Sequence, residues 1–256
     1  MVVSMAKRRD TTALHHNAAS PWLDGITHYV AAVNQKKTDS AYLRSVGLKK
    51  QLIELCGETK NLQVLDVGAG DGWVLDTLQP QRGVMTDIAY GVTQGKNYPF
   101  VQADVRHLPF ESNTFDLAVA SLVLIWLPDL EQAYRELWRV IRPHGRLVVA
   151  IVHPYFYRTG HVTPDGSTVV ERSLAHPWKI DDLKIGGRGN YFDYYYHPYD
   201  EYVMAARRAG LRLETVKDWF IDIDDYKKHV DAEQQIIRRS GLTPLYSFFS
   251  FQKEEQ

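Results

Sequence analysis

Asp66, Gly68, Gly70, Asp71 and Gly72 crowd into seven residues directly behind the apolar pair Val64-Leu65. Glycines so spaced let backbone approach a ligand where a side chain would collide. A helix starting near Trp73 would turn its unpaired N–H groups toward the same point. Strand, glycine turn and helix start together make a nucleotide-type site at the carboxyl end of a first strand. Dinucleotide sites prefer G-x-G-x-x-G, whereas this turn reads Gly68-Ala69-Gly70-Asp71-Gly72. Carboxylates at Asp66 and Asp71 would repel a pyrophosphate and attract an ammonium or sulfonium group.

More acids follow at strand ends. Gly83-Val84-Met85-Thr86-Asp87 is a second apolar run closed by a carboxylate, with Ile88 next. Asp87 stands 19 residues beyond Gly68, the place for an acid that accepts from ribose hydroxyls. Phe100-Val101-Gln102-Ala103-Asp104-Val105 is a third run, and Thr114-Phe115-Asp116-Leu117-Ala118-Val119-Ala120-Ser121 reads as a central strand. A helix, a turn and a fifth strand follow over Arg135–Leu147 and beyond.

In this order, over about residues 62–154 and more loosely 198–253, the chain resembles the class I S-adenosylmethionine-dependent methyltransferases of small-molecule type. The glycine turn matches their first motif. Arg139-Val140-Ile141-Arg142-Pro143-His144-Gly145 resembles their R-V-L-K-P-G-G segment, with His144 in place of a glycine. The resemblance implies a doubly wound α/β sheet of seven strands in the order 3-2-1-4-5-7-6, with S-adenosylmethionine as cofactor. It implies cofactor contacts from Asp66, Gly68, Ala69, Gly70, Asp87 and Ile88, and from Ala103, Asp104 and Val105 around the adenine. Ser121, where the central strand reaches the cleft, would face the methionine part or else be a buried hydroxyl tied to backbone. Tyr42 and Arg44 precede the first strand, as does a Tyr/Arg pair that holds the cofactor carboxylate in related enzymes. The planar fork of arginine suits that task, though a solvated helix charge accounts for Arg44 equally well.

Methyl transfer from a sulfonium is an in-line displacement that needs alignment and exclusion of water. An oxygen nucleophile also needs a base. His153, before Pro154 at the end of the fifth strand, is the first candidate, with an ordinary value near 6.5; His197, before Pro198, is the second. Eight of the fifteen tyrosines fall within residues 153–202. Of these, Tyr157, Tyr194, Tyr195 and Tyr196 are the candidates for lining an acceptor pocket, since aromatic faces with polar tips suit a small aromatic or hydrophobic molecule. The plainer alternative is that they glue a long insert onto the sheet. No H-E-x-x-H, cysteine cluster or paired-acid motif points to a metal.

The positioning elements follow from the pattern. Residues 1–60 are read as a polar tail and helical cap, with helices over Pro21–Asn34 and Ser40–Leu55, the second weakened locally by Gly47. Residues 61–256 form the cofactor-binding domain, in which only twelve residues separate Asp87 from Phe100, so the second crossover helix is short or missing. His153 to Tyr196 reads as irregular and too long for a connector, hence a lid at about 153–202. A helix over Tyr199–Ala209, a strand over Leu211–Phe220, a helix over Asp225–Arg239 and a strand over Pro244–Gln252 complete the chain. A formal net charge of −1 gives no basic field for nucleic acid. Leu117–Leu127, the longest uncharged apolar run, is shorter than the roughly 20 residues of a membrane span. Cys56 is the single cysteine and fits a reducing, cytoplasmic setting. The expected activity is transfer of a methyl group to an oxygen or nitrogen of a small molecule, with a homodimer left open. An RNA or protein methyltransferase and a non-catalytic cofactor-binding protein are the alternatives.

Overall fold

β1 (Gln63–Val67) is buried at every position, as a parallel strand covered on both faces must be. It pairs in parallel with β2 (Arg82–Asp87) on one side and β4 (Phe115–Ser121) on the other. β3 (Phe100–Gln102) extends the sheet beyond β2, and β5 (Ile141–Val152) extends it beyond β4. β11 (Tyr246–Lys253) runs antiparallel to β5, and β10 (Leu211–Trp219) antiparallel to β11. The order β3-β2-β1-β4-β5-β11-β10 is the expected one. The computed structural model describes residue 34 and residues 37–89, 97–154, 159–162, 168–170, 178–184, 191–231 and 244–255.

Alternation along β11 sorts the helices onto two faces. Phe249 and Phe251 stack on each other and meet Tyr202 of α4 (Tyr199–Arg208) and Tyr134 of α3 (Glu131–Val140). Tyr246 lies on the opposite face, stacked on Trp219. There the backbone of α1 (residues 39–56) comes so close that a Cβ on Gly47 would stand 3.0 Å from ring atoms of both Trp219 and Tyr246. α1 begins as an α-helical turn (Asp39–Tyr42), passes through a π-helical stretch (Leu43–Lys49) and ends α-helical (Lys50–Cys56). The local weakness expected at Gly47 is thus a change of helix type, and the missing side chain is what lets α1 dock. Arg146 of β5 donates to the carbonyls of Leu55 and Cys56 at 3.0 and 2.5 Å, closing the helix end. Leu48, Leu52 and Cys56 share one core with β1, β4 and β5.

Three expectations change. Residues 153–196 are not simply irregular: β6 (Thr159–Val162) pairs with β7 (Thr168–Val170), and β8 (Trp178–Lys184) with β9 (Tyr191–Tyr196), as antiparallel ribbons. Their β-branched and aromatic content suits paired strands, which the glycines between them obscured. Where a helix over Asp225–Arg239 is expected, α5 spans Ile223–His229 and Val230 is extended, while residues 232–239 fall outside the described residues. Strand pairing carries β11 one residue past Gln252, to Lys253. Of the helix read over Pro21–Asn34, all but residue 34 falls outside the described residues, as does most of the 88–99 connection. The Tyr199–Ala209 helix ends as expected at Gly210, whose φ is +95°. Among the described residues, no helix is long and apolar enough to cross a membrane.

Candidate functional site

The glycine turn leaves β1 and leads into α2 (Trp73–Leu78). Gly68 and Gly70 both have positive φ, +66° and +54°, yet they do different jobs. A Cβ on Gly68 would lie 2.5 Å from Val123, so the close neighbour there is the loop after β4 and not a ligand. A Cβ on Gly70 would meet nothing within 4 Å among the described residues. Gly70 is therefore the glycine that opens onto free space. Its N–H donates to Asp87 Oδ2 at 2.8 Å, while Ala69 N–H donates to the Thr86 carbonyl at 2.9 Å.

Asp87 ends β2 with its carboxylate fixed by backbone: Oδ1 accepts from Ala89 N–H at 2.9 Å. Burial pushes the carboxyl up, and the N–H donors of Ala89, Gly70 and Ile88 oppose that shift without cancelling it. Each oxygen keeps lone-pair capacity for a hydroxyl. Asp66 is different. It is 1% exposed, and neither carboxylate oxygen has a hydrogen-bond partner among the described residues. Burial, then the neighbouring charges of Asp87, Asp71 and Asp76, pushes its carboxyl well above the ordinary range. Burial without a donor favours the neutral form of an acid, and a cation beside it favours ionisation.

Most of the other expected cofactor residues already have protein partners. Arg44 Nη1 donates to Asp71 Oδ2 at 2.6 Å, and its guanidinium lies 5.5 Å from the Trp73 ring centre. Tyr42 is buried, and its hydroxyl donates to Asp225 at 3.0 Å. Ala103 N–H donates to the Asp87 carbonyl, which sets the next loop against β2. Asp104 is gripped by Arg106, at 2.5 Å from Nη2. Burial pushes the Asp104 carboxyl up, but the Arg106 guanidinium and backbone bonds outweigh it and hold it below the usual range. Val105 is buried in the core, and the Ile88 carbonyl accepts from Gln102. Ser121 closes β4 with its Oγ buried and unpartnered among the described residues, so it is not tied to backbone there. The next residue, Leu122, has φ +58°, which aims the chain so that Val123 packs over Gly68.

His153 and His197 part company. His197 is buried, its Nε2 donates to the Leu127 carbonyl at 2.8 Å, and its ring meets the Tyr202 edge. Burial lowers its pKa despite that bond. It fastens the 3₁₀ turn Leu124–Trp126 to the start of α4. His153 is 4% exposed, with its ring tilted 45° against Tyr199. Its ordinary value near 6.5 is not kept: burial lowers it, and Asp218 works in the opposite direction. Tyr157 lies outside the described residues. Tyr194, Tyr195 and Tyr196 stand in β9, opposite Ile180, Lys179 and Trp178, and β9 runs beside the Leu124–Trp126 turn. Asp218, Tyr199 and Ser247 gather near His153. Asp218 and Ser247 carry no motif and come together only through the β10–β11 register.

S-adenosylmethionine offers a sulfonium, an ammonium, a carboxylate and a ribose diol. The orphaned Asp66 carboxyl, the open side of Gly70 and the backbone-held Asp87 fit those groups in charge and kind.

Residues 65–149 match the protein family described as "Methyltransferase domain". The ubiquinone/menaquinone biosynthesis C-methyltransferase of Hahella chejuensis is 36% identical over 40% of this chain and 37% of its own length. The malonyl-[acyl-carrier protein] O-methyltransferase of Geobacter sulfurreducens is 28% identical over 70% of this chain and 66% of its own. The chain spans between 27% and 37% of the length of the first curated relatives it matches. An S-adenosylmethionine-dependent methyltransferase from Mesorhizobium loti superposes with a TM-score of 0.65 at 18% identity, over 82% of this chain and 100% of that one, which establishes the fold.

Proposed function

The chain belongs to the class I S-adenosylmethionine-dependent methyltransferases, and on that premise we propose that it moves a methyl group from S-adenosylmethionine to an oxygen or nitrogen of a small, aromatic or hydrophobic molecule. The cofactor supplies a methyl group activated by its sulfonium. Asp87 accepts from the ribose hydroxyls, Asp66 answers the positive charge, and the open side of Gly70 lets the ligand lie against backbone. Arg44 stands at that turn through its pair with Asp71, within the loop a carboxylate would approach. Ile88, Ala103, Asp104 and Val105 border the adenine. The observation that carries cofactor binding is the buried, unpartnered Asp66 beside a turn whose Gly70 faces open space.

On the acceptor side, a neutral His153 at the end of β5 supports a nucleophile that must lose a proton. Residues 153–202 supply the tyrosines, and β9 beside the Leu124–Trp126 turn supports their use as a lid that excludes water. The two relatives above are named for a carbon and an oxygen acceptor, so the attacked atom is the part most in need of test. Incubating the full chain with methyl-labelled cofactor and a small-molecule extract, with RNA and with a protein lysate as separate arms, reads it directly. Label in a hydroxyl or amine of a small molecule is expected. Label confined to RNA or protein, or carried on carbon, overturns the acceptor class.

A further inference from the structure

Four polar side chains from four parts of the fold converge beyond the end of β5. Asp218 on β10 accepts at Oδ1 from two hydroxyls, Tyr199 at 3.1 Å and Ser247 Oγ at 2.7 Å. Ser247 is its register partner on β11, and Tyr199 opens α4. Two donors on one oxygen fix the carboxylate's orientation, and Oδ2 then stands 4.0 Å from Nε2 of His153. That separation is too long for a hydrogen bond and short enough for strong attraction once the imidazole is charged.

We propose that Asp218 is a positioning residue of the acceptor side, an anion held opposite His153 to stabilise the imidazolium formed when His153 accepts a proton from a bound acceptor. This rests on the methyl-transfer function proposed above. The proton leaves the acceptor's oxygen or nitrogen, its bonding pair stays on that atom, and the imidazole gains one positive charge. Asp218 interacts more strongly with the charged product of that step than with the neutral ring, which is the differential binding that lowers a barrier. Burial disfavours the charged imidazole, and the Asp218 charge works against that. Among the described residues, the groups facing the histidine include the Tyr199 ring from α4, Asp218 from β10 and the Leu245 carbonyl, which accepts its backbone N–H at 2.8 Å. The Asp218 side chain is 35% exposed, so solvent moderates the attraction.

The test is an NMR titration of the His153 imidazole in the full chain, beside the pH profile of label transfer from methyl-labelled S-adenosylmethionine into the small-molecule extract. In Asp218→Asn the His153 midpoint should fall by roughly half a pH unit or more. The acid limb of the rate profile should move down with it, and the plateau rate should drop. Asp218→Glu should restore part of each. Thermal melts check that both variants fold, which an edge-strand position favours. An unchanged His153 midpoint in folded Asp218→Asn overturns the proposal, as does a shifted midpoint with an unmoved acid limb. Wild-type protein that transfers no label to any arm overturns the methyl-transfer function, and the titration still decides whether Asp218 and His153 are coupled.

Discussion

On the β1–β2 side of the sheet's carboxyl edge, the groups proposed to meet the cofactor fall between residues 66 and 104, and the central one is held by backbone. Asp87 takes N–H donors from Gly70 and Ala89, and a glycine turn shapes the opening. On the β5 side, the groups proposed to work on the acceptor come from residues 153, 199, 218 and 247 and meet through one another's side chains. Backbone holds a site to a geometry that survives most substitutions, so the first half is fixed by fold. Side chains can be exchanged one at a time, so the second half can change its chemistry while the sheet stays the same. The segment of this chain that matches the methyltransferase-domain family ends at residue 149, before His153.

The sharpest way to break the comparison is at the two glycines of the turn. Gly68→Val adds left-handed strain and a collision with Val123, together roughly 2–5 kcal/mol of stability. Gly70→Ala adds the strain alone, about 1–2 kcal/mol, since its Cβ has free space. Denaturant melts should therefore show Gly68→Val far less stable, while calorimetry finds that folded Gly70→Ala has lost most of its cofactor affinity. Equal stability losses would mean that Val123 does not pack on Gly68.

Asp66 gives a pH signature. Its folded value is raised above the unfolded value of about 3.9, so its contribution to stability is full below that unfolded value and is lost as pH rises through the folded one. Binding a cation favours the ionised form, so cofactor binding should release a proton and tighten with rising pH until Asp66 ionises unaided. Asp66→Asn should weaken binding by about 1.5–3 kcal/mol and flatten its pH dependence. The same variant should raise the melting temperature of the cofactor-free protein at neutral pH. Calorimetry in buffers of different ionisation heat counts the proton; no release by wild type would remove Asp66 from the ligand's charge.

Within the acceptor half, the two histidines should separate. His197→Ala leaves the Leu127 carbonyl without its donor and should cost about 1–2 kcal/mol of stability with no change in the pH profile of turnover. His153→Ala should lower turnover far more than cofactor affinity. A stable His197→Ala variant with a shifted profile would exchange their roles.

The contrast also explains what sequence could reveal. The cofactor half was legible because its chemistry is local: acids at the ends of Val64–Asp66 and Gly83–Asp87, and glycines at fixed offsets. Period and order of apolar runs gave the sheet. Partners that depend on packing were not legible. Nothing near Gly68 announces Val123, because the meeting depends on Leu122 adopting φ +58°. Arg44 and Tyr42 read equally well as ligand holders or helix charges until Asp71 and Asp225 were found beside them. Asp218 reaches Ser247 only through antiparallel register, which no spacing along the chain encodes.

A last substitution serves as the control, on the opposite edge of the sheet. His144 has φ +63° where the resembling family has glycine, and its side chain is 67% exposed. Left-handed backbone costs a non-glycine residue about 1–2 kcal/mol, whereas glycine adds unfolded-state entropy that costs about 0.4–1 kcal/mol. The exposed pair with Glu255, 3.5 Å away, adds little on either side. His144→Gly should therefore stabilise the chain by about 0.5 kcal/mol, and leave cofactor affinity and the turnover profile untouched. Leu122 shares the backbone conformation but stands at the site, so Leu122→Gly should relieve the same strain and still lose affinity as Val123 drifts from Gly68. If the two variants behave alike in denaturant melts and calorimetry, the strain at Leu122 is incidental to the site.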